Sequence, residues 1–240
     1  MSKDILIGCS SFNNQYWKGI FYPEDLPSSK WFDFYCQHFD TYEFNGSFYK
    51  FPTVKALNSW YYKSPDDFLF SVKVFKGITH SRRFNECADS IADFYSVCKE
   101  GLMEKLGCIL FQFPPSYDYN KEKLNEIVRN LNPNFKNVVE FRHESWWNDE
   151  VWETFLIHDI TFCSVSYPKL PQTIFTESKL IYVRLHGNLD MFYSHYTLAE
   201  LNNLKSKIDE TKTFVYFNNT AGTAGILNAL ELKKISFDII

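Results

Sequence analysis

Short β-rich apolar runs alternate with helical patterns along nearly the whole chain, and few folds accommodate that alternation. The runs occupy residues 5–9, 41–44, 68–74, 108–113, 138–141, 161–165, 180–185 and 214–217, mostly bounded by turn or polar residues. Between them, Leu124, Ile127, Val128 and Leu131 fall at i, i+3, i+4 and i+7, the stripe of an amphipathic helix. Ile91, Phe94, Tyr95, Cys98 and Leu102 form a second stripe, and Leu201, Leu204 and Ile208 a third. Val54, Leu57 and Trp60/Tyr61 predict a helix after the second strand, and Leu227 and Leu230 mark the closing helix.

Strict alternation implies parallel strands, because parallel neighbours need a crossover connection. Eight units favour closure into a (β/α)8 TIM-type barrel, a fold of about 250 residues. A 240-residue chain is then a single domain over 1–240. An open doubly wound sheet would carry a phosphate-binding glycine motif after its first strand, and Gly8-Cys9-Ser10-Ser11-Phe12 has none. The connection at 166–178 contains Pro168 and Pro171 and little helical pattern, so the sixth helix is expected to be reduced or missing.

Charge narrows the partners. With 25 basic and 29 acidic residues the formal net charge is −4, which argues against broad capture of nucleic acid or of an anionic membrane. No stretch approaches the roughly 20 apolar residues of a spanning helix, and the apolar run in MSKDILIGCSS is too short for a secretory signal. The six cysteines are scattered, without CxxC or zinc spacing, and read as buried thiols in a reducing cytoplasm.

In this fold the active site is built at the C-terminal ends of the strands. Polar residues collect there: Glu43, Asn45 and Tyr49 after the second run, Lys73 and His80 after the third, and Gln112 at the end of the fourth. The fifth contributes Glu140, Arg142 and His143, the seventh Arg184 and His186, and the eighth Asn218 and Asn219. Side chains two apart on a strand share a face, which pairs Glu43 with Asn45, Glu140 with Arg142 and Arg184 with His186. Phe48, Tyr49, Trp146 and Trp147 are candidates for the pocket wall.

Several of these segments, in order, carry a family likeness. They are Asn45-Gly-Ser-Phe-Tyr49, Lys73 with Ile78-Thr-His80, Leu110-Phe-Gln-Phe-Pro-Pro-Ser116, Glu140-Phe-Arg-His143 before Ser145-Trp146, Tyr182-Val-Arg-Leu-His-Gly187, and Val215-Tyr-Phe-Asn-Asn219. On them the chain resembles the YecE-like family, a domain-of-unknown-function family (number seventy-two), from Ile7 to about Leu230. The resemblance implies a TIM-type barrel and supplies no reaction. The chain departs from the family pattern at Ser11-Phe12, at Gly46-Ser47 and at Thr220.

The residues themselves favour an enzyme acting on a small anionic metabolite, phosphorylated, carboxylated or sugar-like. Lys73, Arg142, Arg184 and His80 would hold the anion, since guanidinium forks suit phosphate and carboxylate. Glu140 or Glu43 would act as base, His186 would shuttle protons, and Asn45, Gln112, Asn218 and Asn219 would bind hydroxyls. Two alternatives use the same residues: a glycosidase with Glu43 and Glu140 as its carboxylate pair, and a noncatalytic protein that binds a ligand or a nucleic-acid end. No metal-binding motif is present and no cofactor is implied, although Glu43, Glu140 and His186 are residue types that a divalent metal could use.

Overall fold

The computed structural model describes residues 5–208 and 211–237. The sequence reading of the N-terminal segment rests partly on residues 1–4, which lie outside them. The strands are β1 (Ile5–Cys9), β2 (Thr41–Phe44), β3 (Leu69–Lys73), β4 (Leu106–Gln112), β5 (Asn137–Glu140), β6 (Thr161–Phe162), β7 (Ser164–Ser166), β8 (Ile181–Leu185) and β9 (Thr213–Phe217). The helices are α1 (Trp31–His38), α2 (Gly46–Tyr49), α3 (Val54–Lys63), α4 (Ala88–Leu102), α5 (Lys121–Asn130), α6 (Asp149–Ile157), α7 (Leu198–Ile208) and α8 (Ala224–Ser236). The result is a mixed α/β fold on two sheets, ordered β1–β9–β8–β7 and β2–β3–β4–β5–β6, and every resolved register is parallel. Near-continuous apolar strands such as Leu106–Gln112 suit a sheet buried on both faces.

The chain divides into two compact units, residues 1–43 with 164–240 and residues 44–163. The sixth predicted strand is the place where the expected run breaks. β6 pairs with β5, the Cys163 amide donates to the Val139 carbonyl, and from Ser164 onward the chain pairs with β8 instead. One apolar run therefore serves two partners, a change that hydrophobic periodicity cannot register. No helix forms between Ser166 and Ile181, as the two prolines predict.

Within the first unit, β1 and β2 are joined through a side chain. The Cys9 amide donates to the Tyr35 hydroxyl at 2.7 Å, and that hydroxyl donates to the Thr41 carbonyl at 3.0 Å. Gly8 makes the approach possible, because a Cβ there would overlap the Thr41 carbonyl oxygen. The closing helix α8 buries Ile226, Ala229 and Leu232, and leaves Leu227 exposed.

Within the second unit the helices start where the sequence supplies caps. Thr53, Asn120 and Asn148 accept from the amides of Ala56, Lys123 and Val151 at the starts of α3, α5 and α6. Lys105 is buried and satisfied: its ammonium donates to Tyr61 O, Ser64 O and Ser64 Oγ at 2.8–3.1 Å, closing the C-terminal end of α3. Trp146 stacks on Phe141 with ring centroids 3.9 Å apart, and its indole N–H donates to Tyr117 O. It is fully buried, so it packs the core where the sequence suggested a pocket wall. No described helix is long and apolar enough to cross a membrane.

Candidate functional site

Parallel strands deliver their last side chains to one end of a sheet, and here the polar residues form a distinct cluster in each unit. In the first unit, Glu43 on β2 is wholly buried and is gripped by β8. Its Oε2 accepts from the Tyr182 hydroxyl at 2.8 Å and from Arg184 Nε at 2.9 Å, and its Oε1 accepts from Arg184 Nη2 at 2.7 Å. Tyr182 and Arg184 share a face because they lie two apart on one strand. Arg184 Nη2 also donates to Asn218 Oδ1 at 2.7 Å, so the guanidinium is oriented from two sides. Thr41 Oγ1 and the Tyr216 hydroxyl meet at 2.5 Å. The two-sided fork fixes the plane of the guanidinium, as bidentate pairs do.

His186 follows β8 and is buried, its amide bound to Ser166 O at 2.9 Å and its ring edge-on to Tyr167 and Phe192. Asn219 is turned away from Arg184. Its Nδ2 donates to Ser194 O at 2.8 Å and approaches Asn228 Oδ1, tying the loop before α7 to the turn before α8. The buried Asn219 Oδ1 has no hydrogen-bond partner among the described residues.

In the second unit, Glu140 ends β5 and forms an ion pair with Arg142 through Oε1 and Nε, both groups nearly or wholly buried. Lys73, at the end of β3, places its ammonium 4.1 Å from the centre of the Phe48 ring. The His80 ring meets the same Phe48 ring edge-to-face at 4.9 Å, and His80 Nδ1 lies 2.9 Å from Thr79 Oγ1. Phe48 is thus a shared floor for an ammonium and an imidazole. The α2 turn that carries it is pinned by Ser47, whose hydroxyl reaches Phe44 O and Lys73 O.

Burial, then the Lys73 and Arg142 charges, push His80 down to about 4, with Glu140 opposing. The imidazole is neutral at pH 7. The charges that act on His80 are two cations and one carboxylate.

The remaining predicted residues of the second unit stand around this group. Asn45 occupies the N-cap position of α2 without a side-chain cap bond. Gln112 pairs in register with Glu140, but its amide is spent on the Phe113 carbonyl at 2.7 Å. Tyr49 lies edge-on to Phe48 and is 70% exposed. His143 caps the short turn at Glu144–Trp146 through Ser145. Sequence reasoning missed Tyr182, although its i−2 spacing from Arg184 signalled a shared face. Thr41 and Tyr216 carried no such signal, since an isolated Thr or Tyr in a strand reads as packing. No group of three or more His, Cys, Asp or Glu side chains able to hold a metal is found among the described residues.

UPF0759 protein YunF of Bacillus subtilis (strain 168) is 26% identical over 253 residues, covering 89% of each chain. The crystal structure of a DUF72 family protein from Thermotoga maritima MSB8 matches with a TM-score of 0.86 at 29% identity, over 96% of this chain and 98% of that one. A DUF72 family protein from Enterococcus faecalis V583 matches in fold with a TM-score of 0.81 at 22% identity, over 97% and 95% of the two chains. Residues 6–236 match the family described as "Protein of unknown function DUF72", the same family as the YecE-like one; the chain belongs to it.

Proposed function

We propose that this protein is an enzyme acting on a small anionic metabolite, phosphorylated, carboxylated or sugar-like, bound at the C-terminal strand ends of the second unit. The observation that carries this reading is the pairing of Lys73 and His80 on the Phe48 ring, with the Arg142–Glu140 ion pair close enough to act on His80 electrostatically. Lys73 and Arg142 hold the anion, His80 offers a hydrogen bond, and Glu140 acts as base once the ligand competes for Arg142. Asn45 and the carbonyl oxygen of the Gln112 amide complete the hydroxyl contacts, with Tyr49 at the edge.

In the first unit, Glu43 orients Arg184, and His186 is the candidate for moving a proton. The parallel strands and their crossovers, with β6 and β7 together filling the sixth predicted position, support reading residues 1–240 as one (β/α)8 barrel domain. Six cysteines without a disulfide support a cytoplasmic setting.

A thermal-shift screen of phosphorylated and carboxylated metabolites, with and without divalent metals, tests the assignment. Ligand at about 100 times its Kd stabilises by about 2.7 kcal/mol, which for a chain of this length moves Tm by about 5–11 °C. The shift is expected for wild type and lost in Lys73→Met. Glu140→Gln is expected to keep binding and lose turnover. A wild type that no anion stabilises refutes the reading. The Glu140–Arg142 ion pair also favours a second reading, binding without chemistry, which unchanged ligand processing in Glu140→Gln would support.

A further inference from the structure

The groups around His80 are arranged so that an anion would reverse its electrostatic surroundings. The charged groups facing it are Lys73 from β3 and, from the end of β5, Arg142 and Glu140; α2 offers only the Phe48 ring, and Thr79 supplies a hydroxyl at Nδ1. The two cations are what an incoming anion would neutralise. An anion within about 4–6 Å of an imidazole favours its charged form by 1–3 pK units.

Resting on the anionic-ligand reading above, we propose that this cluster is a proton-coupled oxyanion site. A sulfate- or phosphate-like group seated among Lys73, Arg142 and His80 enters together with one proton from solvent, which the His80 ring takes up. The empty site keeps the imidazole neutral, and the loaded site turns it into a third cation against the ligand. No covalent change is required; the proton is returned to solvent when the anion leaves.

The sign follows from linkage. The loaded form holds the proton more tightly than the empty one, whose His80 titrates at about 4. Anion affinity therefore rises as pH falls from the loaded-state pKa towards 4, by up to about tenfold per pH unit. Sulfate is the suitable probe, because it carries no titrating proton in this range.

Sulfate affinity measured at constant ionic strength should be about tenfold tighter at pH 5 than at pH 7 in wild type. It should lose that slope in His80→Asn, and the His80 ring resonance of the wild type should titrate at higher pH when sulfate is present. A pH-independent affinity that still depends on Lys73 overturns the proton coupling and leaves the anion site standing. The same holds for a slope that persists in His80→Asn. Absence of sulfate binding at both pH values overturns the coupling and the anionic-ligand reading together. The resonance measurement uses unaltered protein, so it decides the matter even if the variant is unstable.

Discussion

Replacing Glu43 by glutamine removes the counter-charge from a guanidinium that is only 2% exposed. Three donors now converge on the carboxylate: the Tyr182 hydroxyl and two Arg184 nitrogens, at 2.7–2.9 Å. Glutamine fills the same volume, but it presents an NH2 to at least one of those donors. Breaking a buried pair by removing one partner costs about 3–5 kcal/mol, and at about 2–4 °C per kcal/mol for a chain of this length Tm should fall by about 6–20 °C. An exposed pair offers the contrast. Lys30 and Asp33 lie 3.0 Å apart, but both are about half solvent-exposed, so Asp33→Asn should shift Tm by only a few degrees, in line with about 0–1 kcal/mol for surface pairs. The doubly apolar variant Glu43→Leu/Arg184→Met should regain at least half of the single variant's loss, because it leaves no buried charge uncompensated. Differential scanning calorimetry of the four proteins decides the matter. A Glu43→Gln protein within about 1 kcal/mol of wild type, or a double variant that falls at least as far as Glu43→Gln, refutes the buried-pair argument.

Other outcomes are expected from the packing. Gly8→Ala forces β1 away from the Thr41 carbonyl and should cost about 1–3 kcal/mol or more, read as a lower denaturation midpoint; an unchanged midpoint counts against the close approach. Trp146→Ala empties the space against Phe141 and Tyr117 and should cost about 3–5 kcal/mol, with quenching experiments showing the lost emission to be the solvent-shielded component. Burial pushes the Cys9 and Cys98 thiols well above the ordinary range, so alkylation of the native protein at pH 8 should mark the part-exposed Cys36 first. Labelling of Cys9 or Cys98 before Cys36, mapped by mass spectrometry, contradicts that order.

The sequence by itself determined the alternation of strand and helix and the positions of most strands. β1 and β2 fall on the predicted residues, and the stripes at Ile91–Leu102 and Leu124–Leu131 mark the buried faces of α4 and α5, because burial of one face imposes a period that can be counted. The missing helix after β7 was legible too, since proline removes a donor and fixes the backbone. Strand-end position likewise picked out Glu43, Lys73, Glu140, Arg142 and Arg184. Pairing was not legible. That Cys163 ends one ladder and Ser164 begins another depends on which backbone lies alongside, and hydrogen-bond partners leave no trace in hydrophobic period. The same holds for the side chains. Only the tertiary structure decided that Arg184 closes on Glu43, that Trp146 belongs to the core, that Asn219 ties down a loop, and that Lys73 and His80 share the face of Phe48. Each of these is a choice among partners within reach, made by burial and charge in three dimensions, where the cost of an unsatisfied group is set.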